Sequence, residues 1–298
     1  MSRHVGLIFA LVTTGFWGVW GAFAGRPADN GFPETLIYVV WAFTMIPPSL
    51  FALARIGWRC EHDARSILLG CLIGFTGSGG QMILFHAVRT GPAYLIFPLV
   101  ALSPVVTIAL SVGWLKERVS WIGALGIALA LMAMPLFDYA PGEGWQGQGI
   151  AWFVCALIVL VAWGVQAFFI KLATKTMSAE SIFVYMTVTG LALIPLALYM
   201  TDFSQPINYG LSGPGLAAAT QILNAVGALT LVYAFRYGKA LIVSPLTNAG
   251  APLITALLSL ALLGIVPQPL KLFGVGLAFA AAALLALEPE GPPPAGKP

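Results

Sequence analysis

The chain has 298 residues, of which 59% are hydrophobic and only 8% charged, and its mean hydropathy is +0.91. A soluble domain carries about 25% charged residues because its surface faces water, so this composition excludes a water-soluble globule and points to the bilayer as solvent. The net charge of +3 is too small and too scattered to suggest a nucleic-acid partner.

A helix that crosses a membrane takes about 20 mostly apolar residues. Runs of that kind lie at 5–25, 35–54, 66–86, 92–114, 119–137, 149–170, 181–200, 214–235, 240–263 and 270–287. The first follows a basic start but exceeds the about 7–15 apolar residues of a secretory signal, so it reads as a retained first span. Short breaks such as GRPADNG, DYAPGEGWQGQ and TDFSQPINYGLSGPG separate the runs and carry turn formers and most of the charge. Barrel strands would alternate over about ten residues instead. The expected fold class is therefore an all-α membrane protein of ten transmembrane helices, ending in a proline-rich, disordered tail at 288–298.

Lysine and arginine set the orientation. With the N-terminus inside, cytoplasmic segments hold eleven of them: Arg3, Arg55, Arg59, Arg65, Lys116, Arg118, Lys171, Lys175, Arg236, Lys239 and Lys297. Only Arg26, Arg89 and Lys271 fall outside. Both termini are expected in the cytoplasm, in a bacterial-type inner membrane. Cys60, Cys71 and Cys155 are odd in number and fit no metal-ligand spacing; no metal and no cofactor is called for.

The chain repeats itself. HAVRTGPAYLIFPL (His86–Leu99) returns as YAFRYGKALIVSPL (Tyr233–Leu246), 147 positions later, and ALVTTGFWGVWGAF (Ala10–Phe23) returns as ALIVLVAWGVQAFF (Ala156–Phe169). Trp17-Gly18 pairs with Trp163-Gly164, Glu34 with Glu180, Ile46-Pro47 with Ile194-Pro195, Pro104 with Pro252 and Thr107 with Thr255. Each half spans 1–137 or 149–287, with 138–148 as an external linker. Five helices per half is an odd number, so the second copy enters the membrane from the opposite side. Inverted repeats are the architecture of secondary transporters, whose central site opens to either face in turn.

Ten helices, an early Trp-Gly, a PA…P…SP fourth helix and a Lys-Glu-Arg turn before WIGALGIALA together resemble the drug/metabolite transporter superfamily, EamA-like type. The resemblance implies two inverted five-helix repeats, a cavity walled by helices 1–4 and 6–9, and export of small molecules such as amino acids, drugs or other metabolites. The second half has lost the Glu-Arg pair of that turn (LGIVPQPLKLF).

No Asp or Glu lies in the middle of any span. His86, near the outer end of the third, is the candidate for proton coupling, or else an interfacial imidazole bonded to a carbonyl. A buried amide without a partner is costly in hydrocarbon, so Gln81, Gln166, Asn224, Asn248 and Ser244 should face the interior. Aromatic candidates for the cavity wall are Trp17, Trp163, Tyr94, Phe97 and Tyr233. Pro98 and Pro104, with their counterparts Pro245 and Pro252, remove backbone donors and are the candidate hinge or gate. Differences between the copies, His86 against Tyr233, Pro92 against Lys239 and Phe97 against Ser244, are where cargo and direction should be written.

These features lead to an alternating-access carrier of a neutral or zwitterionic small molecule, with the proton as candidate co-substrate and lipid as partner; monomer and homodimer both fit. Its competitors are an exporter of amphipathic drugs and a non-transporting scaffold, and no catalytic cluster supports an enzyme. Cysteines introduced at Gly142 and Ser212 should react with an impermeant maleimide from outside, and one at Asp63 should not. The reverse pattern would overturn the orientation.

Overall fold

Proline placement shapes the second span before any packing is considered. Pro47 lacks an N–H and cannot continue the preceding turn, so helix α2 is laid down in two pieces, Glu34–Thr44 and Ile46–Arg55, joined at Met45. Its repeat counterpart, α7, breaks at the equivalent place, with Ala179–Ala192 and Ile194–Met200 joined at Leu193 ahead of Pro195. The same sequence device produces the same broken helix twice.

The computed structural model describes residues 4–90, 96, 99–138, 150–263 and 268–287. Among these, every regular element is helical. The remaining helices are α1 (Val5–Phe23), α3 (Ala64–Thr90), α4 (Ser103–Leu110, extended by a wider π-helical turn at Ser111–Leu115), α5 (Trp121–Asp138), α6 (Ala151–Ala173), α8 (Leu216–Tyr237), α9 (Ala240–Leu263) and α10 (Pro269–Ala286). A short helix, Arg26–Asp29, follows α1. Six segments, containing α1, α2, α3, α6, α7 and α8, are long and apolar enough to cross a membrane, and α4, α5, α9 and α10 supply shorter apolar helices. The linker at 139–149 and the tail at 288–298 lie outside the described residues. Large apolar side chains such as Leu68 and Phe279 are exposed on the bundle's outer surface, which only an apolar solvent would tolerate in such number.

Packing follows the repeat. Helix α1 lies against α8 and α9, and its counterpart α6 lies against α3 and α4. Helix α2 packs on α8 as α7 packs on α3, and the last helices of the halves, α5 and α10, pack on each other. The halves therefore do not sit side by side as separate bundles: each lends its first helix to the third and fourth helices of the other.

The two Trp-Gly dipeptides make these crossings. Trp17 Nε1 donates to the Asn224 carbonyl of α8 at 3.3 Å, and Trp163 Nε1 donates to the Gly77 carbonyl of α3 at 3.2 Å. Each indole lies on a glycine three residues further along, Gly227 or Gly80, where a Cβ would come within 2.4 Å of Trp17 and 2.6 Å of Trp163. The neighbouring glycine seats the next helix: Gly18 faces Ile254, and Gly164 faces Val106. Thr255 Oγ1 donates to the Gly18 carbonyl at 2.9 Å, and Thr107 Oγ1 to the Gly164 carbonyl at 3.0 Å. Four glycines of α3 extend this thin surface, Gly70 and Gly74 meeting Tyr185 and Thr189 of α7 while Gly77 and Gly80 meet α6.

Hydrogen bonds sort the connections into two ends. At one, the Glu61 carboxylate of the α2–α3 connection accepts from the Ser178 N–H and hydroxyl at 3.1 and 3.0 Å, at the N-terminus of α7. Glu117, between α4 and α5, accepts from the Leu241 N–H at 3.1 Å, and Arg236 donates to the Met177 carbonyl at 3.1 Å. We refer to this as the basic end. At the other, the contacts among the described residues are uncharged: the Asn208 N–H donates to the Gly31 carbonyl at 3.0 Å, and Asn30 Nδ2 to the Ser212 carbonyl at 3.1 Å. Asp63 caps α3, accepting from the Ser66 hydroxyl and N–H and the Arg65 N–H, which holds its carboxyl below the ordinary carboxylate range.

The prolines of the fourth and ninth spans behave differently from one another. Pro104 stands in the first turn of α4, where its missing N–H costs little, after a turn at Leu102. Helix α9 instead runs without interruption through Pro245 and Pro252. Pro98 lies outside the described residues.

Gly227→Ala and Gly80→Ala should each lower stability by about 1–3 kcal/mol, because the new methyl must displace an indole ring. Thermal unfolding in detergent would show this as a reduced Tm. Gly15→Ala, where a Cβ meets nothing within 4 Å, should not lower it.

Candidate functional site

The polar side chains of the spans gather where the crossings occur. On the α1–α8 side, Trp20 Nε1 donates to Gln221 Oε1 at 3.2 Å, and the half-buried Asn224 follows one turn along α8. On the α6–α3 side the counterpart of Trp20 is Gln166, half-buried against Gly77, where a Cβ would lie 2.1 Å from its Nε2. Gln81, also half-buried, stands one residue beyond Gly80. Neither Gln81 nor Gln166 has a hydrogen-bond partner for its amide among the described residues, so both keep hydrogen-bonding capacity at membrane depth.

Where α4 crosses α9, buried Ser244 and Thr107 approach with 3.5 Å between hydroxyl oxygens, and Asn248 Nδ2 donates to the Ser244 carbonyl at 2.9 Å. Asn248 therefore keeps its amide oxygen for another partner. These groups are all neutral.

Trp17 and Trp163 occupy these crossings, and both direct their indole N–H groups at backbone carbonyls. Trp41 differs. Its Nε1 is buried and, among the described residues, has no hydrogen-bond partner. The ring sits 5.2 Å from that of Tyr38, whose hydroxyl donates to the Gly190 carbonyl at 2.9 Å. Gly190 lies beside the Trp41 ring and Ser78 Oγ, with room for a Cβ in ordinary contact at 3.6 and 3.5 Å. An indole N–H without an acceptor inside the bundle retains the capacity to donate. Trp41 is not among the residues that the sequence singles out for the cavity wall, and its only signal there is an aromatic side chain within a span.

Tyr233 and His86 are remote from this middle layer. Tyr233 lies near the basic end of α8, stacked on Phe9 at 4.9 Å between centroids, and its hydroxyl donates to Glu180 Oε1 at 2.6 Å. His86 is exposed near the opposite end of α3. Tyr94 and Phe97 lie outside the described residues. Beside Tyr233, a crevice of about 410 Å³ opens between α1, the second piece of α2 and α8, walled by apolar groups including Phe9, Pro48, Phe51, Val226 and Leu229.

The geometry can now be set against known proteins. The model of the EamA-like transporter family matches this chain twice, over residues 4–137 and 150–287. The chain belongs to the EamA-like transporter family. It is thus a multi-pass integral membrane protein of the drug/metabolite transporter superfamily, and the two matched stretches are the inverted copies whose helices cross at Trp17 and Trp163. A solved crystal structure, described only as that of a protein, superposes with a TM-score of 0.77 at 17% identity, covering 96% of this chain and 99% of that one; this likeness shows the fold. The uncharacterized protein MJ1333.1 of Methanocaldococcus jannaschii is 32% identical over 59 residues, 20% of this chain and 43% of that protein. The chain thus covers less than half the length of that relative.

In this EamA-like transporter, replacing Trp41 by 3-benzothienylalanine keeps the bicyclic ring and exchanges only the N–H for sulfur. Transport by that variant should fall about tenfold, a hydrogen bond to cargo being worth about 1–1.5 kcal/mol, with Tm unchanged. Trp17→Phe and Trp163→Phe should lower Tm instead.

Proposed function

We propose that the protein is an alternating-access secondary transporter that exports a small neutral or zwitterionic metabolite, an amino acid or a related compound, across a bacterial-type inner membrane with the basic end in the cytoplasm. The observation that carries this reading is the paired packing. Every crossing made by α1 on α8 and α9 has its counterpart made by α6 on α3 and α4, so the molecule can exchange the conformations of its halves at little energetic cost. A pair of conformations with opposite ends open is what alternating access requires.

The chemistry of the middle layer supports the cargo class. Gln81, Gln166, Asn224, Asn248, Ser244 and the Trp41 indole N–H offer donors and acceptors without net charge. A fully charged cargo would meet no counter-ion there, whereas a neutral or internally compensated one needs only hydrogen bonds. Hydrogen-bonding groups are already satisfied at Trp17 and Trp163, which we assign to walls and framework. His86 or Glu34, both toward the opposite end, would have to carry a proton if export is proton-coupled; otherwise the protein is a facilitator.

The apolar crevice beside Phe9 and Phe51 favours a second reading, export of amphipathic drugs that enter sideways from the inner leaflet. Its lining is almost wholly apolar, the Thr230 and Tyr233 hydroxyls being bonded to Thr13, backbone carbonyls and Glu180, which suits a hydrophobic ring better than an amino acid.

Purified protein screened by thermal shift against amino acids, nucleobases, sugars and cationic drugs should be stabilised by the cognate class, since a ligand that binds only the folded state raises Tm. The hit should then show counterflow in proteoliposomes, with labelled substrate accumulating against unlabelled substrate inside. Absence of counterflow for every stabilising ligand would leave a scaffold. Counterflow of cationic drugs alone would favour the second reading.

A further inference from the structure

The basic end contains a side-chain contact whose repeat counterpart is placed at the opposite end. Tyr233, on α8, donates its hydroxyl to Glu180 Oε1 at 2.6 Å in the first turn of α7. Moving back 147 positions from Tyr233 gives His86 on α3, and moving back 146 from Glu180 gives Glu34 in the first turn of α2. Inversion carries that second pair to the other end of the bundle.

The two pairs are in different states here. Tyr233 and Glu180 are both half-buried, and α7 and α8 run against each other. Glu34 and His86 are both exposed, and among the described residues α2 and α3 touch over a shorter stretch. No partner of the Glu34 carboxylate lies among the described residues. Other groups reinforce the basic end: Lys171 Nζ donates to the Phe235 and Gly238 carbonyls at the C-terminus of α8, and Arg236 donates to the Met177 carbonyl. Among the described residues the opposite end shows no such set, and the counterpart of Lys171 is Gly25.

In a protein of two inverted copies, the alternative state is reached when each copy takes up the conformation of the other. The structure of the second copy is then a template for the first. We infer that Glu34 and His86 form the latch of the opposite end, meeting as Glu180 and Tyr233 meet here, and that the two latches close alternately. The basic end is held by a phenol on a carboxylate, and the opposite end by an imidazole on a carboxylate. Substrate passes only when one latch has opened and the other has formed. This rests on the alternating-access reading of the function.

The native Cys60, half-buried in the α2–α3 connection at the basic end, reports on that end once Cys71 and Cys155 are replaced by alanine. In proteoliposomes, Tyr233→Phe removes the basic-end hydroxyl and should speed Cys60 alkylation by a permeant maleimide severalfold. Glu34→Gln and His86→Gln, each removing one side of the opposite latch, should slow it severalfold, because the state closed at the basic end gains population. The Glu34→Gln/His86→Gln double variant should be no slower than either single one, as expected for partners in one contact. Rates that do not change for Glu34→Gln and His86→Gln, that change in the same direction as for Tyr233→Phe, or that multiply in the double variant, overturn the latch. Counterflow by the unmutated protein is measured in parallel: its loss for all substrates refutes the transport reading, whereas its presence with unmoved Cys60 rates refutes only the latch.

Discussion

An indole N–H inside hydrocarbon is costly to leave without an acceptor, and the organisation of this protein depends on how Trp17 and Trp163 find theirs. Neither bonds within its own helix. Each reaches a carbonyl on the third helix of the other half, one turn before a glycine that leaves room for the ring. The following Gly18 and Gly164 then bring in the fourth helix of that half, closed by a threonine hydroxyl on the glycine carbonyl. In lipid, apolar burial gives helices little reason to prefer one another, so close backbone approach and interhelical hydrogen bonds set the partners. A two-residue motif supplies both, twice, and fixes which helices cross.

That constraint accounts for what could be read in the sequence. Ten spans, the inverted repeat and the family resemblance follow from patterns local in the chain: apolar runs of span length, a recurring Trp-Gly, and prolines at matched positions such as Pro47 and Pro195. The register of the repeat even anticipates partners, since Gly80 and Gly227 bear the same relation to Trp163 and Trp17. What was not legible is how each group uses its hydrogen bonds. Trp17 and Trp163 are marked by duplication, which equally marks framework. Trp41, whose indole N–H has no partner among the described residues, carries no mark in the sequence that distinguishes it from other aromatics within spans. Whether an amide is satisfied depends on residues about a hundred or more positions away, as with Gln221 and Trp20, and no local pattern encodes that.

Duplication also tempts the reader to assign equal mechanics to equal residues. Pro104 and Pro252 occupy corresponding positions, yet Pro104 opens a helix and Pro252 lies within one. The same residue can begin a helix without loss or be carried inside it when neighbours satisfy the carbonyl it releases. A pair of prolines conserved by the repeat can thus contribute two different shapes. The ends of the bundle differ in the same manner. Among the described residues, one is tied by Glu61, Glu117, Lys171 and Arg236, the other by asparagine side chains and backbone. Burial alone would raise the Glu61 carboxyl, but hydrogen bonds from Ser181, Ser178 and its own backbone outweigh it and hold it below its ordinary range. It therefore stays charged, and caps α7, through the whole physiological range.

The crossing of the halves has a further consequence for how the chain is made. Trp17 leaves the ribosome in the first span, but its acceptor, the Asn224 carbonyl, is 207 residues further along. Helix α1 must wait in the membrane, with an unsatisfied indole and an open glycine seat, while seven more helices are inserted. Helix α6, by contrast, emerges to find α3 and α4 already present. The second copy can assemble as it is synthesised, and only the arrival of α8 and α9 lets the first helix take its place. Biogenesis of this transporter thus ends on its oldest segment, and any factor that shelters α1 during synthesis would act on the face that carries Trp17, Gly18 and Gly21.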